Sequence, residues 1–160
     1  MSKYGITFDI PQVVGEVTDD IRHELERRSY LAANELRNAA QEVLRGERSG
    51  RRYKVPGTYA RQRDETDGKM KNGRYYTASA PGEPPAVRTG AFRLSWRPTA
   101  RVAFGSYISK IESDIRVGNG EALGDILENG TSKMAPRPYQ DAVLEKAEKP
   151  IWNIYNQPYF

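Results

Sequence analysis

Apolar residues recur at helical spacing through the first third of the chain. Val14, Val17, Ile21 and Leu25 are followed by Ala32, Leu36, Ala39 and Val43, forming one stripe at the period of an α-helix. Pro11 suits a first helical turn and Gly46 a stop, so a helix is predicted over 11–45, after a short extended start at Ile6–Asp9. Unbroken, it would run about 50 Å at 1.5 Å per residue. Two readings stand: part of it packs on another subunit, or it folds wholly onto its own sheet or breaks near Ser29.

Further on, the period changes to two. Ala100, Val102 and Phe104 alternate with Arg101 and Ala103, and Ile111, Ser113, Ile115 and Val117 alternate with Lys110, Glu112, Asp114 and Arg116. This predicts an antiparallel hairpin with one buried face, turning at Gly105–Ser106 and ending at Gly118-Asn119-Gly120. Glu112 and Asp114, two apart among basic neighbours, read as partners in cross-strand ion pairs.

After the hairpin a helix is predicted over 121–129. Its pattern of Leu123, Ile126 and Leu127 stops at Asn129-Gly130, a pair suited to a positive-φ helix end. Pro136 and Pro138 make an extended crossing, and a last helix begins at Tyr139 with Val143 and Ala147 on one face. Pro150 is expected to kink or restart it. The tail, 150–160, is aromatic: Trp152, Tyr155, Tyr159 and Phe160 either close the domain's own core or anchor on a partner. No repeat is visible. The elements give an α+β class, with a long N-terminal helix and a C-terminal helix packed on a small antiparallel β-sheet.

Residues 46–88 break the pattern and form a basic arm and a Pro-rich strap within one 160-residue domain. Up to residue 78, Leu, Ile and Phe are absent. Arg48, Arg51, Arg52, Lys54, Arg61, Arg63, Lys69, Lys71 and Arg74 face only Glu47, Asp64, Glu65 and Asp67, with Tyr53, Tyr59, Tyr75 and Tyr76 interleaved. One reading is a flexible electropositive arm that lies on nucleic acid or an acidic neighbour. Others are a solvated loop, or a tyrosine-bearing β-hairpin that orders on assembly. Thr77–Gly90 favours polyproline II, and Thr89 is placed to cap a short helix over 90–96 carrying Phe92 and Trp96.

Composition narrows the chemistry. A net charge of +4 permits nucleic-acid or acidic-protein partners. The absence of cysteine removes disulfides and thiolate chemistry and suits a reducing cytoplasm. No apolar run approaches the roughly 20 residues of a membrane span, and the N-terminus lacks an apolar signal core, so a soluble intracellular protein is expected. His23 is the only histidine, set among charged helix residues, which disfavours a triad or histidine metal site. Asp19-Asp20 suits a helix start rather than a metal. Gly82 and Gly90 lack the Lys-Ser/Thr ending of a phosphate loop. No catalytic set, metal site or cofactor site is expected.

Two stretches together resemble the neck or tail-completion (head–tail joining) proteins of long-tailed bacteriophages and prophages. One is Ala80-Pro-Gly-Glu-Pro-Pro-Ala-Val-Arg-Thr-Gly-Ala-Phe-Arg-Leu-Ser-Trp; the other is Leu127-Glu-Asn-Gly-Thr-Ser-Lys-Met-Ala-Pro-Arg-Pro-Tyr. The matching positions are Pro81, Gly82, Pro84, Pro85, Thr89, Gly90, Glu128, Gly130, Thr131, Met134, Arg137, Pro138 and Tyr139. The chain departs from the family at Glu121-Ala-Leu-Gly-Asp-Ile-Leu, where Tyr-Ala often precedes the glutamate, and at Asn129, where an aromatic is common. The basic arm and aromatic tail do not map onto it.

The resemblance implies a structural virion protein of the neck, assembled in the host cytoplasm, with no enzymatic activity. Copies would form a ring of six or twelve between the head connector and the tail tube or tail terminator, through which DNA passes. On that reading Arg51, Arg52, Lys54, Arg61, Arg63, Lys69, Lys71 and Arg74 meet DNA in the lumen or an acidic partner. Trp152, Tyr155, Tyr159 and Phe160 would anchor to an adjacent ring. The competing class is a small basic nucleic-acid-binding module.

Overall fold

The computed structural model describes residues 4–11, 19–55, 62–63, 70–71, 75–103 and 106–159. It is an α+β arrangement built around a three-stranded antiparallel sheet. Strand β1 (Tyr4–Pro11) and strand β6 (Arg97–Ala103) flank the central β7 (Ser106–Ser113). The β6–β7 hairpin turns between Ala103 and Ser106, and Ile6 lies opposite Ile111 in the β1–β7 register. Along β7 every second residue, Tyr107, Ser109, Ile111 and Ser113, is buried, as the alternation predicts.

Helix α1 (Asp19–Arg45) packs on β6 and β7 and, most extensively, on α4 (Gln140–Tyr155). Its buried positions include Ala32, Ala33, Leu36, Ala39, Ala40 and Leu44. The alanines bring its backbone close to its neighbours, and Leu36 and Leu44 supply the apolar bulk. Asp19 and Asp20 occupy the first turn, where the helix dipole favours negative charge. From Asp19 onward the helix is unbroken at Ser29, and its covered face lies against the chain's own elements.

Three expectations are corrected. Pro11 ends β1 opposite Ser106 instead of opening α1; β1 is an edge strand, which tolerates a residue without an N–H. Val14 and Val17 lie outside the described residues. Pro150 lies inside α4, which runs on to Tyr155, so the helix is not restarted there. The missing hydrogen bond and ring clash cost about 3 kcal/mol, but Val143, Ala147, Ile151 and Tyr155 are buried along one stripe, each large apolar side chain contributing about 1.5–3 kcal/mol. The strand pattern also ends at Ser113 rather than at Val117, and Val102 is half exposed near the hairpin tip. The ion pairs run from Lys110 to Glu112 along β7 and from Arg97 to Asp114.

The least anticipated core residue is Arg28, which is 1% exposed. Its Nε donates to Glu24 at 2.8 Å, Nη1 to the carbonyls of Tyr155 (3.1 Å) and Gln157 (2.7 Å), and Nη2 to that of Pro158 (2.6 Å). The Tyr159 ring covers the guanidinium at 3.9 Å. These carbonyls belong to the end of α4 and its exit, where helical backbone acceptors run out of donors. Beside it Ser29 Oγ donates to the Leu25 carbonyl and accepts from the Tyr155 hydroxyl at 3.0 Å. Ser109 Oγ donates to the Ser29 carbonyl at 2.8 Å.

Arg28→Ala should lower the unfolding free energy by about 3 kcal/mol in urea denaturation, because it strands buried acceptors. Arg27→Ala, which removes an exposed partner of Glu24, should cost far less, as exposed ion pairs do. Equal effects would remove Arg28 from its structural role.

Candidate functional site

The two motif stretches, far apart in sequence, meet in space. Gly82 N donates to the Pro136 carbonyl at 3.1 Å, joining the strap to the elbow. Between them, α2 (Ala91–Leu94) and α3 (Leu123–Asn129) wall an open groove of about 490 Å³. Leu44, Pro85, Val87, Phe92, Leu127 and Met134 supply apolar lining, while Arg88, Arg93 and Arg137 supply the charge. Among the described residues, no carboxylate lines it.

The elbow is built from backbone requirements. Gly130 has φ 75°, and a Cβ there would lie 2.6 Å from the Met134 carbonyl oxygen and 2.7 Å from Pro136 N. Gly130 N donates to the Ile126 carbonyl at 2.9 Å, closing α3. Thr131 Oγ1 accepts from the N–H groups of Lys133 (3.2 Å) and Met134 (3.1 Å), holding the turn. Arg137 N then returns to the Leu127 carbonyl at 2.7 Å.

Glu128 caps the next helix. Its Oε2 accepts from the N–H of Tyr139 at 2.9 Å and of Gln140 at 3.2 Å, satisfying donors that open α4 and placing negative charge at its N-terminus. Tyr139 is buried against Phe92 and Trp96 and donates its hydroxyl to the Gly124 carbonyl at 3.2 Å. Burial, and the nearby Tyr4 after it, pushes the Tyr139 hydroxyl pKa up. Burial also raises Tyr4 to about 12. Both phenols are neutral throughout the ordinary pH range. A Cβ at Gly124 would collide with the Tyr4 ring and the Tyr139 hydroxyl.

The strap is tied by Glu83, which the motif reading leaves as an unassigned position. Its carboxylate accepts from Ala80 N at 2.8 Å, from Ser49 N at 3.1 Å and from the Ser49 hydroxyl. The Ser49 hydroxyl first, then the Ala80 and Ser49 amides, lower its pKa from 4.5 to about 2. Arg48, expected in the basic arm, instead donates to the carbonyls of Pro85 and Val43. It pins the strap to the end of α1. Gly82 and Gly90 both take positive φ, 83° and 85°. Thr89 Oγ1 accepts from Ala91 N at 3.3 Å, and Phe92 and Trp96 pack edge to face at 5.3 Å. Pro81, Pro84 and Pro138 shape the same crossing, Pro81 and Pro138 being exposed.

The basic arm is a ribbon where it is described. Strand β2 (Arg52–Lys54) pairs antiparallel with β5 (Tyr75–Thr77), and β3 (Gln62–Arg63) with β4 (Met70–Lys71). Tyr53 stacks on Tyr76 at 6.0 Å. Arg52 lies over Tyr75 at 4.8 Å and Arg51 over Tyr53 at 5.7 Å, and Arg51, Arg52 and Lys54 are exposed. The tyrosines Tyr53, Tyr75 and Tyr76 thus lie on paired strands. Arg63 and Lys71 belong to the outer pair; Arg61, Lys69 and Arg74 lie outside the described residues.

In the aromatic tail, Tyr155 is a core residue bonded to Ser29 and not a free anchor, because its hydroxyl finds a buried partner. Tyr159 covers Arg28, while Trp152 is 46% exposed and meets Phe8 edge-on at 6.2 Å. Phe160 lies outside the described residues. His23 is exposed beside Glu26. Among the described residues no cluster of three or more His, Asp or Glu is placed to hold a metal, and no helix is long and apolar enough to cross a membrane.

No family model, curated protein or solved structure matches the chain.

Two outcomes test the junction. The folded pKa of Glu83 lies below its free value, so its tether contributes stability above pH 4.5 that is lost as pH falls from 4.5 towards 2. The amide NMR shifts of Ser49 and Ala80 should therefore titrate with a midpoint near 2; a midpoint near 4.5 would exclude the tether. Gly130→Ala should cost about 1–3 kcal/mol of stability, whereas Gly118→Ala, in open space, should stay within about 0.5 kcal/mol. Thermal unfolding of both variants makes the comparison.

Proposed function

We propose that the chain is a structural subunit of a phage or prophage neck, a tail-completion or head–tail joining protein that assembles as a ring through which DNA passes. The observation that carries this reading is the junction of the two motif stretches. Five of the positions that resemble the joining family tie strap to elbow, shape the elbow or cap the last helix: Gly82, Glu128, Gly130, Thr131 and Tyr139. They act on backbone geometry and hydrogen bonding, which is the role expected of motif positions in a scaffold rather than a reaction centre.

The ribbon fits the same role. Exposed Arg51, Arg52 and Lys54 beside Tyr53 and Tyr75 would meet DNA phosphates in a lumen without reading sequence, or an acidic surface of the connector. Trp152, at 46%, has the most exposed surface of the described tail aromatics and would meet an adjacent ring with it. The same ribbon supports a second reading as a free-standing nucleic-acid-binding module, because exposed aromatics interleaved with arginine provide stacking and charge together.

Light scattering of the purified protein, alone and mixed with tail tubes from the same phage, followed by negative-stain imaging, separates these readings. Rings, either in solution or only on tube ends, are expected. A monomer that ignores tubes yet binds duplex DNA with steep salt dependence would transfer the assignment to the module. Charge reversal at Arg51, Arg52 and Lys54 should leave the fold intact and reduce particle assembly or DNA retention; unchanged particles would remove the ribbon from the mechanism.

A further inference from the structure

We propose that the groove between strap and elbow is a docking site for an extended acidic peptide segment of a partner protein, in which carboxylates bracket an apolar side chain. This stands on the groove alone and does not rest on the ring reading: either can fail without the other.

Three observations converge on that occupant. The first is charge. Arg88, Arg93 and Arg137 line a groove that carries no carboxylate among the described residues, so a neutral or basic segment would leave their charge unmatched.

The second is unmet hydrogen-bonding capacity. Arg93 Nε and Arg137 Nη1 are buried donors with no acceptor among the described residues. Each such group costs about 1–3 kcal/mol relative to a satisfied one. Both residues are only part-buried and line the groove, so a small turn of either side chain offers its guanidinium to a carboxylate, the acceptor that matches its planar fork. A third such donor, Trp96 Nε1, lies within the aromatic cluster and does not line the groove.

The third is shape. The volume, about 490 Å³, suits apolar side chains rather than a hydrated phosphate backbone, and Leu44, Phe92, Leu127 and Met134 form its walls. Val87, one of the lining residues, is 36% exposed, so the groove opens to solvent along that rim and admits an extended peptide rather than only an enclosed small molecule. The walls are braced: Arg48 holds Pro85, Gly82 holds Pro136, and Arg137 N holds Leu127. The groove thus exists before anything enters it, which limits the ordering cost of binding.

The test uses the full chain on an array of short immobilised peptides in which Asp or Glu brackets one or two apolar residues, beside a matched array carrying Asn or Gln. Binding confined to the acidic array is expected. For the best peptide, fluorescence anisotropy should show Arg93→Gln and Arg137→Gln each weakening binding by about tenfold or more. Val87→Glu, on the exposed rim where folding is not at risk, should do the same, and Arg51→Glu on the ribbon should not. Equal binding to both arrays, no binding to either, unchanged affinity in Val87→Glu, or full displacement of the peptide by duplex DNA or inorganic phosphate would each overturn the proposal.

Discussion

The fold depends on how the last helix is held at its two ends. At its C-terminus Arg28, buried in α1, donates to three carbonyls around Tyr155–Pro158; at its N-terminus Glu128 accepts from two amides. A helix leaves donors free at one end and acceptors at the other, and here each set meets a charge of the right sign from a different element. The apolar stripe of α4 packs on α1, a non-directional contact that by itself leaves some freedom to slide. The two charged ends remove that freedom, fixing the position of α4 and with it the seat of Tyr139.

From Tyr139 the constraint passes outward. The ring sets Phe92 and Trp96 on one side, and its hydroxyl and the Tyr4 ring occupy the space that a side chain at Gly124 would need. Phe92 and Leu127 then become walls of the groove. The strap, with no regular strand or helix over 78–90, is tied down by Glu83 and Arg48 to single backbone atoms. Burial alone would not have held it, because prolines and small residues offer too little apolar area. Irregular backbone near a core has to satisfy its polar groups one by one, and the strap does so with two charged side chains.

Much of the framework was legible from periodicity: the long stripe of α1, the β6–β7 hairpin, the end of α3 at Gly130 and the start of α4. What was not legible has a common cause. Pro11, Pro150 and Val102 obey local rules that tertiary pairing and packing override, as the extension of β1 along β7 and the buried stripe around Pro150 illustrate. Arg28, Glu83 and Arg48 were missed because a charged residue on a sequence reads as solvated. Their roles appear only once distant carbonyls and amides arrive beside them. The motif positions of the site were visible as glycines and prolines, but the groove they border was not, since Leu44, Phe92 and Ile115 come from three unrelated segments.

The arginines show how buried charge separates structural from functional use. Arg28 is enclosed by the core, and four hydrogen bonds and an aromatic face meet its donors. Arg48, less enclosed, still meets backbone carbonyls, and burial pulls its pKa down only against the opposing charge of Glu83. Arg93 and Arg137 follow a different rule: each keeps a buried donor without an acceptor among the described residues, and both do so at the same surface groove. A fold that matches its most deeply buried guanidinium so completely does not lack the means to match two shallower ones. Leaving them unmatched only where solvent-facing apolar surface also lies open concentrates both charge and hydrophobicity at one place. That combination is costly in an isolated chain and becomes favourable when a partner brings carboxylates and apolar side chains together.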